Sequence, residues 1–241
     1  MDTENGVQQK PGPGPLTGSA YHLKTFQVSL NLLCHTLVGI IVGVNIVFVF
    51  RLPLPLGDTP IHIILCVLGY QLLMSQAILS LSPYNTWSTH LKLVDKKRAH
   101  WVLQVLGSAL AIAGSFVKIV DKANNPNATN WDTPHGIAGL VALVFTVASL
   151  INGLTSLYAY EFRRFLPSKL SKITHICAGI IAFAAANICL CYGFEKNMFR
   201  SWLVIANSDP VVNTLITFTA ILTGVIIVAP LISFYEKFKT N

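Results

Sequence analysis

"KKRAHWVLQVLGSALAIAGSFVKI", residues 96–119, sets three cations and a histidine against the start of an apolar run. Between His100 and Lys118 no residue is charged, and the apolar positions lack the strict alternation of a barrel strand. Lipid offers backbone amides no partners, so such a run crosses as a helix, and roughly 20 residues suffice for about 30 Å of hydrocarbon. Working outward, runs of the same kind cover 26–50, 60–82, 99–119, 135–158, 173–193 and 211–234. The 241 residues are 53% hydrophobic and 11% charged, with a mean hydropathy of +0.58, well outside the balance of a soluble domain. The expected fold class is all-α: an integral membrane bundle of six transmembrane helices.

The expected layout is a flexible tail at 1–25, where "MDTENGVQQKPGPGPLTG" is rich in Pro and Gly, then the six-helix domain at 26–236 and a short tail at 237–241. No cleavable signal peptide is expected. All five cysteines (Cys34, Cys66, Cys177, Cys189, Cys191) fall inside apolar runs, where they serve as small core residues rather than a disulfide set.

Six crossings put both tails and the second and fourth loops on one side. That side carries Lys10, Lys24, Lys92, Lys96, Lys97, Arg98, Arg163, Arg164, Lys169, Lys172, Lys237 and Lys239, twelve of the 17 basic residues. The positive-inside rule therefore predicts a multi-pass protein with both termini cytosolic. The sequon at Asn127 to Thr129 falls in the third loop, on the predicted extracytoplasmic side. The net charge of +7 reports this topology and calls for no nucleic-acid partner.

Of the seven histidines, His22 and His90 lie in a tail and a loop and His35 inside the first run, where a helix contact is favoured over a proton relay or a hydrogen bond to a cofactor carboxylate. His62, His100, His135 and His175 fall within about one turn of the predicted starts of helices 2, 3, 4 and 5. Successive helices start on opposite faces, so His62 and His135 share the extracytoplasmic side and His100 and His175 the cytosolic one. The spacing repeats: 135 − 62 is 73 residues and 175 − 100 is 75. An ionisable group inside lipid is costly unless something compensates. Two neutral imidazoles from neighbouring helices can supply both axial bonds of a haem iron, without thioether links because no C-x-x-C-H occurs.

A porphyrin slot calls for small residues at i+4 and i+7 on each histidine's own face. Cys66 and Gly69, Gly107, Gly139 and Ala142, and Gly179 and Ala182 meet that requirement. Ordinary small-residue packing between membrane helices is the competing account. Zinc generally wants three or four ligands with carboxylate or thiolate among them, and an ion pathway wants polar residues through the bilayer middle. Two b haems in series between helices 2 to 5 are the better reading of the four histidines.

The segments "TPIHIILCVLGY", "KKRAHWVLQ", "DTPHGIAGL" and "ITHICAGI" resemble the four haem-ligand segments of the cytochrome b561 family, over residues 26 to 236. The resemblance is nearest to the branch called cytochrome b561 domain-containing protein 2, which also has a histidine in its first helix, as His35 is here. It implies a transmembrane oxidoreductase carrying electrons from cytosolic ascorbate through two bis-histidine b haems to monodehydroascorbate or ferric iron. His62 with His135 would ligate the extracytoplasmic haem, and His100 with His175 the cytosolic one. An endoplasmic reticulum or vesicle membrane, surrounding lipid and a homodimer complete what the resemblance implies. The arginine-bearing segment of the ascorbate-reducing branch has no counterpart in "QAILSLSPYNTW".

Ascorbate is an anion, so its site should offer cations beside a haem edge. Lys97 and Arg98 precede His100 by three and two residues, and Lys172 precedes His175 by three. These are the candidate donor-binding residues, through charge-assisted hydrogen bonds, although each also satisfies the positive-inside rule. Trp131 and Asp132 stand near His135 as candidate acceptor contacts, although an interfacial aromatic anchor is the favoured account of Trp131. The alternative from another class is a multi-pass protein without haem, whose histidines bind a metal ion or serve packing in a complex.

Overall fold

The computed structural model describes residues 18–158, 167–203 and 208–239, with the residues at 168 and 236–238 described by backbone alone. Helices and their connections account for all described residues, and six helical spans are long and apolar enough to cross a membrane. The first span is α1 (Ser19–Phe50). The second is a composite of α2 (Asp58–Cys66), a π-helical stretch (Val67–Met74) and α3 (Ser75–Ser80). The third to fifth are α4 (Leu93–Ala123), α5 (Pro134–Leu157) and α6 (Ser168–Phe194). A short α7 (Asn197–Trp202) precedes the sixth span, α8 (Asp209–Lys239).

Three helices begin earlier than hydropathy suggests. Helix α1 starts at Ser19 rather than 26, α4 at Leu93 rather than 99, and α6 at Ser168 rather than 173. Hydropathy marks where lipid begins, whereas a helix continues as long as its charged residues find partners. Asp95 sits in the first turn of α4, where the helix dipole favours an anion, and bonds Arg98 one turn on at 3.0 Å. The rest of the expected N-terminal tail, residues 1–17, and Arg163 and Arg164 lie outside the described residues. At the other end α8 runs through 237–239 of the expected tail.

Helix α5 starts where its sequence dictates. Thr133 is its N-cap, its hydroxyl accepting the Gly136 N–H at 3.1 Å, and Pro134 occupies the first helical position. His135 is thereby fixed in the first turn. Thr133→Ala is expected to cost about 1 kcal/mol, read as earlier thermal unfolding of the detergent-solubilised protein and a perturbed environment at His135.

Spans 2 to 5 form an inner four-helix group, with α5 against α6 along their length and α4 against all of span 2. Outside it, α1 packs on α8 and span 2, and α8 packs on α6. The two sides are filled differently. The outer core is large and aliphatic or aromatic, with Phe48, Phe199 and Trp202 rings 5.1 to 5.5 Å apart. The inner core consists of Tyr70, Met74 and four alanines, which leaves space between the helices that carry the histidines.

Candidate functional site: two histidine pairs at opposite ends of the bundle

The even number of spans places Ser19 and Lys239 at one end, here the terminal face. Near the opposite face, His62 of α2 and His135 of α5 stand with ring centroids 6.2 Å apart and planes at 79°. The His62 Nδ1–H donates to the Gly114 carbonyl of α4 at 2.8 Å, and the His135 Nδ1–H to the Cys189 carbonyl of α6 at 2.9 Å. Each ring is thus held by a helix other than its own.

Near the terminal face the arrangement recurs. His100 of α4 and His175 of α6 have centroids 6.2 Å apart and planes at 89°. His100 Nδ1–H donates to the Ala77 carbonyl of α3 and His175 Nδ1–H to the Ser149 carbonyl of α5, both at 2.9 Å. Because α4 and α6 start early, His100 and His175 are each the eighth residue of their helix, counting from Leu93 and Ser168. The expectation of one turn from the start is corrected to two turns, while His62, fifth from Asp58, and His135, second from Pro134, stay close to it.

A carbonyl only accepts, so all four rings carry their proton on Nδ1. In a neutral ring the Nε2 lone pair is then the remaining ligand atom, a tautomer set by the outer hydrogen bond as in metal-binding histidines. Two imidazoles bound to one metal at about 2.0 Å, with ring centres roughly 1.1 Å behind Nε2, stand about 6.2 Å apart when collinear. Both observed separations equal that value. No group of three or more His, Cys, Asp or Glu side chains suited to one ion occurs among the described residues, whereas a planar macrocycle brings its own four equatorial donors and needs two. The histidines therefore fit a b haem at each end.

The small-residue reading needs partial correction. Cys66, Gly139 and Ala142 line the cavity that also contains His62 and His135, of about 360 Å³. Gly69 and Gly107 instead face each other across the contact of span 2 with α4: a Cβ on Gly69 would stand 2.7 Å from the Gly107 oxygen. They are packing residues, and Gly179 meets the Ser149 hydroxyl. Gly153, which spacing from the histidines did not suggest, opens room for a ring, because a Cβ there would lie 3.1 Å from His175 Cε1.

The same cavity is lined by Thr59, Ser115, Lys118, Lys122, Asn130, Trp131 and Lys196. Lys118 bonds Thr59 at 2.8 Å and pairs with Asp121; Lys122 bonds the Thr129 carbonyl at 2.7 Å and Asp132 at 3.2 Å. The Thr129 hydroxyl, and then Lys122, hold the exposed Asp132 carboxyl below its ordinary range. Trp131 adopts φ 66°, a left-handed backbone for a bulky residue, beside this anchored loop. Of the two candidate acceptor contacts, Trp131 reaches the cavity and Asp132 braces the loop. The three lysines could have been noticed only as cations near α4 and α6 ends, a signal that topology already explained.

At the terminal face Lys97, Arg98 and Lys172 are exposed, within one turn of His100 or His175 on the protruding starts of α4 and α6. Lys96, the remaining cation of the opening segment, is buried and donates to the Ser82 carbonyl at 3.0 Å. His35 packs as a contact of α1: its ring nitrogens bond Asn85 at 2.9 Å and Gln76 at 3.1 Å, joining α1 to α3 of span 2 and to the connection that follows it. The five cysteines are unbridged, among them Cys66 and Cys189, whose thiols lie 3.6 and 3.4 Å from the Nδ1 atoms of His62 and His135.

An all-helical, six-span protein with like-sided histidine pairs across its inner four helices is the class that fold and site define. The chain belongs to the eukaryotic cytochrome b561 family, whose model matches residues 61–200 and so takes in all four histidines. It is 30% identical over 141 residues to the transmembrane reductase CYB561D2 of Mus musculus, covering 58% of this chain and 61% of the relative. With the Homo sapiens protein of that name it is 29% identical over 140 residues, 58% of this chain and 62% of the relative. The match thus spans under two thirds of these relatives.

Proposed function

We propose that the protein is a transmembrane oxidoreductase that passes electrons from cytosolic ascorbate, through two b haems, to monodehydroascorbate or ferric iron on the other side. The observation carrying this reading is the pair of 6.2 Å imidazole separations, each with both Nδ1 atoms engaged by backbone carbonyls. Bound haem would supply a one-electron centre whose iron changes oxidation state. His62 with His135 would hold one haem and His100 with His175 the other. The carbonyl bonds to Nδ1 keep the rings aimed and raise their basicity as ligands. Family membership and the names of the relatives support the reductase class, and the cationic terminal face supports cytosolic termini. The resemblance to the family supports an endoplasmic reticulum or vesicle membrane.

In this reading Lys97, Arg98 and Lys172 orient the ascorbate anion beside the terminal-face pair. Arg98 already bonds Asp95 and is exposed, so its planar fork can exchange that partner for enediol oxygens at little cost. Arg98→Ala is expected to slow reduction by ascorbate several-fold with the haem content unchanged, measured by stopped-flow absorbance; an unaltered rate would remove Arg98 from the donor site. The decisive experiment for the whole reading is the haem-to-protein ratio of the purified protein together with its ascorbate-reduced spectrum. Two low-spin, six-coordinate haems are expected, and a colourless, zinc-containing preparation would overturn it.

A further inference from the structure

Among the described residues, the buried inner core between the two histidine pairs contains one aromatic ring, that of Tyr70. Tyr70 lies in the π-helical stretch of span 2, eight residues past His62 and seven before Ala77, whose carbonyl holds His100. It therefore stands about midway along the span between the two levels. Its ring lines the cavity of His62 and His135, and its hydroxyl reaches Thr146 Oγ1 of α5 at 3.2 Å. Thr146 is three residues, about one turn, before Ser149, whose carbonyl holds His175. The side chain therefore leads from the wall of one site toward the support of the other.

Its surroundings are saturated and small. Ala111, Ala142, Ala185 and Ala186 are buried in the same cluster, with Met74 and, partly buried, Cys66 as the polarisable members. The next residue, Gln71, donates from Nε2 to Asn187 Oδ1 of α6 at 3.2 Å. Asn187 donates in turn to the Phe183 carbonyl at 2.8 Å, which fixes the sense of both amides. Successive residues thus tie the middle of span 2 to α5 and to α6, the helices carrying His135 and His175. Burying a phenol in mid-bilayer is costly unless it is bonded, as the Tyr70 hydroxyl is to Thr146. For filling space alone, leucine would serve at position 70 without that requirement.

We propose that the aromatic ring of Tyr70 is the bridge through which an electron passes between the two sites. Tunnelling is coupled better through packed atoms than through space, and better through delocalised ring orbitals than through the surrounding alanines. With haem held at both ends, the single electron given up at the His100 and His175 end would be the one gained at the His62 and His135 end, so the transfer would balance without a further reactant. Tyr70 is neither oxidised nor deprotonated.

The inference rests on the two-haem reading, and the test separates the two. The full-length wild-type protein is first assayed for haem; fewer than two per chain defeats the reading itself, before any variant is compared. Tyr70→Phe, Tyr70→Leu and Tyr70→Met are then taken through haem content, redox titration of both midpoint potentials and flash photoreduction from one face, following equilibration between the haems. We expect Phe, which keeps the ring, to match the wild type, and Leu and Met to slow equilibration several-fold at unchanged potentials. A wild-type rate in Leu or Met with both haems retained overturns the bridge, as does a Phe variant as slow as Leu. Loss of a haem in both Leu and Met variants also overturns it, by making Tyr70 a structural residue.

Discussion

His100→Ala or His175→Ala is expected to abolish the terminal-face haem signal, leave the opposite one and stop transmembrane reduction. Each ring would be one of two residues holding the haem at this end, and each is held by a single carbonyl, Ala77 or Ser149. An alanine in place of either ring would leave one imidazole where the site provides two, so any haem retained at that end should show an altered spin state. The two ends share no ligand and no ligand support: Gly114 and Cys189 hold the other pair. Haem content by pyridine haemochrome, with the low-spin spectrum of the remaining site, is the measurement. Loss of both haems from a chain that still folds would show that the sites are not independent.

The second large effect is expected at Gly69. A Cβ there would stand 2.7 Å from the Gly107 oxygen and 2.8 Å from the Ala111 nitrogen, both backbone atoms that no side-chain rotation can move. Span 2 and α4 must separate, at a cost of about 1 to 3 kcal/mol by analogy with overpacked cores. The consequence reaches both sites, because this contact sets His62 against Gly114 and His100 against Ala77. Gly69→Ala should therefore lower the thermal unfolding temperature in detergent and reduce binding at both ends. Gly39→Ala and Gly43→Ala on α1 are the controls: nothing lies within 4 Å of either added Cβ, and helix propensity favours alanine by roughly 0.5 to 1 kcal/mol. Equal behaviour of Gly69→Ala and the controls would mean that this contact does not limit stability.

Fold class and histidine pairing were legible in one dimension because they depend on quantities that add along a chain. Apolar length counts crossings, and the parity of crossings assigns each histidine to a face; His62 meets His135 and His100 meets His175 accordingly. Helix starts were less legible, since the charged residues before His100 and His175 look like loop by hydropathy yet continue the helix. Gly69 and Gly107 carried the signature of a slot but serve a helix contact. Spacing on one helix says which face a residue is on, but not which helix lies opposite.

What the sequence by itself determined is the number of spans, the two levels at which histidines stand and the residue types able to ligate a metal, because local composition and periodicity settle each of these. Only the tertiary structure decided which ring nitrogen meets a backbone carbonyl, since that depends on carbonyls of Ala77, Gly114, Ser149 and Cys189, which every residue possesses and no sequence pattern marks. It alone also decided that Tyr70 reaches Thr146 while Lys96 turns inward to Ser82. A hydrogen bond between helices is fixed by their relative height and rotation, and these come from packing the whole bundle at once.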